Sequence, residues 1–224
     1  MAADELARLA ALLADRSRAQ FCLSLMDGRA WTAGELAEVA RVSPATASEH
    51  LTRLVAGGLL GERRQGRHRY LQLAGPRVAD LLEHLLGYVG PTTPGRSLKA
   101  STASTALARG RTCYDHLAGR LGVAITDAMA GRNLLDADLL VTDEGIGWLA
   151  DHLHADFSTT RRPIGKACLD WTERRSHLAG AAGAHICAHL HAQGWVRKVG
   201  TGRAVKVTPA GERALEDLLG ISGL

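Results

Sequence analysis

The chain has 224 residues, enough for two compact domains, and 46% of them are hydrophobic, which is sufficient for real cores. No apolar run approaches the ~18 residues of a membrane span, and Met1-Ala2-Ala3-Asp4-Glu5-Leu6 lacks the basic segment that opens a signal peptide, so a cytoplasmic protein with no membrane partner is expected. A net charge of +4 permits a polyanionic partner without requiring one, so the local clustering of charge has to decide.

Leu6, Leu9, Leu12 and Leu13 recur at helical spacing and mark a first amphipathic helix. Asp15-Arg16-Ser17-Arg18 interrupts it. Phe21, Cys22, Leu25 and Met26 then form the buried face of a second helix, which Asp27-Gly28 ends. Thr32 is an N-cap and Glu35 completes a capping box for a helix reaching Ala40. After the turn Arg41-Val42-Ser43, Ser43 caps a further helix with Pro44 at its first position, where the missing N–H costs nothing, and Leu51, Leu54 and Val55 turn inward. Gly57-Gly58 stops that helix. Two strand-like runs follow, Leu59 to Arg64 and His68 to Leu73, joined by Gln65-Gly66-Arg67.

Helix, turn, helix and arginine-bearing hairpin in this order form a winged helix-turn-helix, which places its second helix in a DNA major groove. The residues expected at DNA are Ser43, Ala45, Thr46, Ser48, Glu49, His50 and Arg53 on the recognition helix, and Arg63, Arg64, Arg67, His68 and Arg69 on the wing. Small and hydroxylated side chains allow close groove approach, while the arginines add affinity through counterion release. A wing used only for packing or protein docking has no need of four arginines around one glycine.

Four stretches carry a family resemblance: Ala14-Asp15-Arg16-Ser17-Arg18-Ala19-Gln20-Phe21, Thr46-Ala47-Ser48-Glu49-His50-Leu51-Thr52-Arg53-Leu54, Ala56-Gly57-Gly58-Leu59-Leu60 and Arg64-Gln65-Gly66-Arg67-His68-Arg69-Tyr70-Leu71. Together they resemble ArsR-type winged-helix repressors over residues 4–90. The resemblance implies a homodimer on a palindromic operator, joined by the Leu6–Leu13 helix and by a closing helix from Val78 to Tyr88 with Val78, Leu81, Leu82, Leu85 and Leu86 on its apolar face. It also implies repression relieved by a small effector. The chain departs from the metal-sensing members, because Glu35-Leu36-Ala37-Glu38-Val39-Ala40 holds no cysteine and Asp80 and His84 have no second pair downstream. No metal site is therefore expected in the head.

Residues 91–103, rich in Pro, Ser, Thr and Gly, read as a linker between a DNA-binding and dimerisation domain (1–90) and a C-terminal domain (104–224). The C-terminal domain contains an internal repeat. His116-Leu117-Ala118-Gly119 precedes Val141-Thr142-Asp143-Glu144-Gly145, and His177-Leu178-Ala179-Gly180 precedes Val207-Thr208-Pro209-Ala210-Gly211. Each copy reads as a helix–hairpin–helix unit of winged type, with the clearest hairpin between Trp195–Val199 and Ala204–Val207. The expected fold is mostly α with small β-hairpins, and an effector site is expected between the two copies.

Two clusters lead into the copies: Arg111, Cys113, Tyr114 and His116, then Cys168, Trp171, Arg174, Arg175 and His177. Three readings stay open for them. Cys113 and Cys168 form a thiol switch with Arg111, Arg174 and Arg175 favouring the thiolate, or Tyr114, Trp171, His116 and the arginines line a pocket for an aromatic or anionic small molecule, or the residues pack helices with ordinary salt bridges between Asp115 or Asp170 and arginines. The four cysteines have no CxxC pairing and are expected as free thiols. His185 and His189 stand one turn apart, but no fixed third ligand follows, so they read as an exposed helix face and no metal ligands are assigned. No cofactor and no enzymatic constellation is found. The sequence thus predicts a DNA-binding regulator, expected to be a repressor, governed by a small molecule or by thiol redox state. The alternative is an effector-free architectural or protein-docking winged-helix module.

Overall fold

The computed structural model describes residues 1–66, 68–89, 105–200 and 202–223. Arg67 of the expected wing and the whole expected linker lie outside them. The chain divides into two compact units, Met1–Leu82 and Glu83–Leu224.

Unit 1 opens with α1 (Ala2–Leu13) and α2 (Arg16–Leu25), separated where the Asp15 carboxylate caps α2 by accepting from the Arg18 N–H at 3.0 Å. The short β1 (Trp31–Thr32) leads into α3 (Ala33–Ala40), where the capping box forms: Thr32 N–H donates to Glu35 at 2.7 Å and Glu35 N–H donates back to Thr32 Oγ1. That reciprocal pair satisfies two orphan donors of the helix start and holds the Glu35 carboxyl below its usual range, the Thr32 backbone N–H being the main cause. Arg41, in the left-handed region at φ 57°, makes the turn into α4 (Pro44–Ala56). β2 (Leu60–Gln65) and β3 (His68–Leu73) pair antiparallel from Leu60↔Leu73 to Gln65↔His68, and β1 adds to the other edge of β3. Phe21, Cys22, Leu25, Met26, Leu36, Leu51, Leu54 and Leu71 are fully buried and form the core of this unit. α5 (Pro76–Val89) follows and runs across the division between the units.

Among the described residues, unit 2 contains a helical stretch α6 over residues 105–109 and then three hairpins, each followed by a helix. β4 (Arg111–Cys113) pairs with β5 (His116–Ala118), ahead of α7 (Gly119–Ala130) and α8 (Asp143–Leu153). β6 (Lys166–Leu169) pairs with β7 (Ser176–Ala179), ahead of α9 (Gly180–Ala192), the hairpin of β8 (Val196–Lys198) and β9 (Val205–Val207), and α10 (Pro209–Leu219). Thr142 caps α8 and Thr208 caps α10, each accepting from the glycine N–H three residues on. The expected hairpin between residues 195 and 207 is present. Its counterpart in the first half is only a single bridge, Leu135↔Val141.

His-Leu-Ala, expected to open a helix in each half, is instead the second strand of a hairpin. The reason is local. Gly119 and Gly180 sit at φ 73° and 82°, left-handed values that break the chain between strand and helix. β5 lies beside β7, α7 packs on β7 and α9 packs on β5, so each hairpin is covered by the helix that follows the other. Thr126 of α7 accepts the Leu178 N–H at 2.8 Å and so ties the first helix to the second hairpin. Leu121, Ile125, Met129, Leu149, Leu178, Ile186 and Leu190 fill the core around this crossing. Among the described residues no helix is long and apolar enough to cross a membrane.

Candidate functional site

The surface of unit 1 carries the polar face expected for DNA. Ala47, Leu51 and Leu54 hold α4 in the core and leave Ser43, Ala45, Thr46, Ser48, Glu49 and Arg53 exposed. Ser43 Oγ accepts from the Thr46 N–H at 3.1 Å and fixes the helix start, where N–H groups and the helix dipole favour a phosphate. Glu49 and Arg53 are paired at 2.6 Å. On the wing, Arg63, Arg64 and His68 are exposed. Arg69 is half-buried instead: it donates to Glu62 at 2.8 Å and reaches Thr52 of α4 at 3.4 Å, bracing hairpin against helix. His50 does not belong to this face. Its ring turns into the unit, with Nδ1 3.2 Å from Arg18, Nε2 3.8 Å from Asp15 and its edge against Phe21.

The interior of unit 2 holds a second, different constellation. Cys113 stands opposite His116 in the first hairpin and Cys168 opposite His177 in the second. Directly opposed residues of an antiparallel pair point to the same face, so each hairpin presents one thiol and one imidazole. With the hairpins side by side, the four ligand-type atoms lie within 4.8 Å of one another, and all four residues are buried. The sulfurs are 3.9 Å apart and the two Nε2 atoms 3.1 Å apart, with the rings stacked at 29°. Behind His116, Nδ1 lies 3.3 Å from Asp115, which Arg162 holds from outside at 2.6 Å. Behind His177, Nδ1 lies 3.8 Å from Asp170 and has no hydrogen-bond partner.

Asp170 is itself fixed. It accepts from Arg111 at 3.0 Å, from the Gly119 N–H at 2.6 Å and from Thr172 and Glu173. Burial raises its pKa, but the Arg111 charge and these donors outweigh burial and keep it ionised far below the usual carboxylate range. Arg111, fully buried, also lies 3.8 Å from Glu83 and stacks its guanidinium on Trp171 at 4.8 Å. Cys168 is held well below the ordinary thiol range, chiefly by the hydrogen bond from Cys113 against the cost of burial, and then by His116 and His177. Cys113 is pushed up by the same bond and by burial. Burial pulls His116 down, yet its hydrogen bonds to Asp115 and Cys168 lift it to about 9. By contrast, Cys22 and Cys187 are pushed up to about 12, chiefly by burial in the core.

Of the nine residues expected at an effector, the structure therefore brings Cys113, His116, Cys168 and His177 together, with Arg111 and Trp171 one layer out. Tyr114, at φ 60°, makes the tight turn of the first hairpin. Arg174 is exposed and Arg175 pairs with Asp127 at 2.8 Å, so neither stabilises the Cys168 thiolate as expected; imidazoles and a thiol do so. His185 bonds the Leu153 carbonyl oxygen at 2.8 Å and His189 packs edge-on against Trp195. A cleft of about 360 Å³ opens elsewhere in unit 2, lined by Arg109, Leu121, Val199 and Val205 among others, and none of the expected effector residues borders it. Asp115 and Asp170 are absent from the expected effector set; their signal is their place beside Cys and His in two parallel clusters.

Comparison with known proteins bears on unit 1 through a family model and on both units through a relative. Residues 13–63 match the family model of a helix-turn-helix domain. Over nearly the full length the chain is similar to YdfF of Bacillus subtilis, described as an uncharacterized HTH-type transcriptional regulator. The two are 37% identical over 221 residues, which is 96% of this chain and 97% of that protein. Among solved structures, it resembles the homodimeric winged helix-turn-helix DNA-binding domain Mb0332 of Mycobacterium bovis, a possible ArsR-family regulator, at 34% identity and a TM-score of 0.34 over 38% of this chain and 78% of that one. NolR of Sinorhizobium fredii is 26% identical at a TM-score of 0.37, over 40% of this chain and 89% of that one.

Proposed function

Since the chain belongs to the family of HTH-type transcriptional regulators, we propose that it binds operator DNA as a homodimeric repressor of ArsR type through α4 and the β2–β3 wing, and that a signal received in unit 2 sets its DNA affinity. The observation that carries the DNA reading is the exposed polar face of α4 beside Arg63 and Arg64. The dimer reading is supported by α1, no residue of which is buried and whose Leu6 stands exposed. In this reading residues 1–90 are the DNA-binding and dimerisation domain, residues 91–103 are the linker, and residues 104–224 are a C-terminal domain of two halves whose β4–β5 and β6–β7 hairpins pair around the Cys/His cluster. The protein works in the cytoplasm, carries out no catalysis, and reads a palindrome whose half-sites mirror its two-fold symmetry.

Fluorescence anisotropy on the chain's own upstream DNA tests this. Arg63→Ala with Arg64→Ala should weaken binding to every sequence and lower the salt slope by roughly 0.9 for each phosphate no longer neutralised. An unchanged slope would remove the wing from the interface. Failure of the parent protein to form any sequence-specific complex would favour the docking module instead.

A further inference from the structure

We infer that Cys113, His116, Cys168 and His177 form a tetrahedral site for a thiophilic divalent metal ion of the zinc class, and that this ion is the ligand of unit 2. The site stands on its own geometry; only its consequence for DNA rests on the sensing reading above. A tetrahedral ion with Zn–S of about 2.3 Å and Zn–N of about 2.0–2.1 Å spaces its two sulfurs ~3.8 Å apart and its two nitrogens ~3.3 Å apart. The structure has 3.9 Å between the sulfurs and 3.1 Å between the Nε2 atoms. A disulfide would need the sulfurs at about 2.05 Å, far inside the separation the two hairpins set.

Charge and orientation agree with the distances. Two thiolates and two neutral imidazoles around a divalent ion sum to zero, the balance a buried site needs. The Arg111 cation is paired with Asp170 and leaves that sum alone. Both histidines turn Nε2 inward and Nδ1 toward a carboxylate, Asp115 in one case and Asp170 in the other. That is the carboxylate–histidine–metal arrangement, which fixes the tautomer and raises ligand basicity. His177 Nδ1, buried without a hydrogen bond and 3.8 Å from Asp170, needs only a small ring movement to come within reach of that carboxylate. Thiolate and imidazole donors together select zinc-class ions over magnesium or calcium, which take oxygen. On binding, the protons held by the ligand atoms pass to solvent; no electron moves.

The test is Co(II) titration of the full chain, reduced and stripped with chelator, followed by competition with Zn(II). The expected result is one Co(II) per chain, with the intense d–d bands of a tetrahedral site and a thiolate charge-transfer band that Zn(II) abolishes. Cys113→Ser should weaken that band. Asp115→Asn, which keeps all four ligands, should lower metal affinity about 10- to 100-fold. Should the cysteine variant not fold, the parent spectrum and the Asp115→Asn affinity still decide. A weak octahedral spectrum, or no saturable binding, overturns the site. DNA anisotropy on stripped and loaded protein separates the two readings. A tetrahedral spectrum with unchanged DNA affinity keeps the metal and removes the sensing role. No Co(II) site, with DNA release on oxidation of the thiols, removes the metal and keeps the sensing role.

Discussion

Arg18 shows how much one side chain can decide. Its guanidinium is buried and donates to the Leu12 carbonyl oxygen at 2.6 Å and to that of Ala11 at 2.8 Å, while contacting His50 of α4. It thereby serves carbonyls left open at the end of α1, a task helices often give to a basic residue or a glycine. Arg18→Met removes the donors and leaves carbonyls facing a thioether, so unfolding free energy should fall by about 2 kcal/mol, read by urea denaturation of the first unit's signal. Thr32→Ala removes a cap at a more exposed place and should cost about 1 kcal/mol. The two differ in legibility. Thr32 and Glu35 announce their bond by spacing alone, because a cap is local. The contact of Arg18 with His50 spans 32 residues, so His50 reads in sequence as a groove-facing residue although its half-buried ring turns toward Arg18.

At the scale of elements, local rules again separate what can be read from what cannot. Every helix of the head lies close to its expected range, since caps, Gly57-Gly58 and apolar spacing are all short-range signals. The β4–β5 hairpin is hidden because its two-residue turn is Tyr114-Asp115, without the glycine or asparagine that usually marks such a turn. Hairpin and helix then meet at Gly119, where an added Cβ would lie 2.8 Å from the Ala108 carbonyl oxygen in a backbone already left-handed. Gly119→Ala should therefore destabilise unit 2 by about 1–3 kcal/mol. Gly147, exposed in the interior of α8 with nothing near its missing Cβ, predicts the opposite. Gly147→Ala should stabilise by about 0.5–1 kcal/mol through helix propensity. Thermal melts of both variants check the pair: an unchanged or raised melting temperature for Gly119→Ala would refute the account of Gly119, and a lowered one for Gly147→Ala would refute that of Gly147.

For the whole molecule, the proposed regulation requires that two units with separate cores exchange free energy. The sequence makes the DNA-reading half legible because its chemistry lies in consecutive segments. It hides the second site because Cys113 and Cys168 are brought together only by the crossing of two hairpins, each packed under the other's helix. Linkage supplies the test that matches this scale. If Zn(II) changes operator affinity by some factor, operator DNA must change Zn(II) affinity by the same factor. For a working regulator that factor should lie at about 5–150. Zn(II) affinity, measured by chromophoric chelator competition with and without the operator duplex, should therefore shift as far as DNA affinity does between stripped and loaded protein. Addition of a non-specific duplex should shift it less, because a duplex held only by its phosphates does not require the two recognition helices at one fixed spacing. A Zn(II) affinity indifferent to the operator would make the ion a structural clasp of unit 2. The regulatory signal would then have to enter through another group.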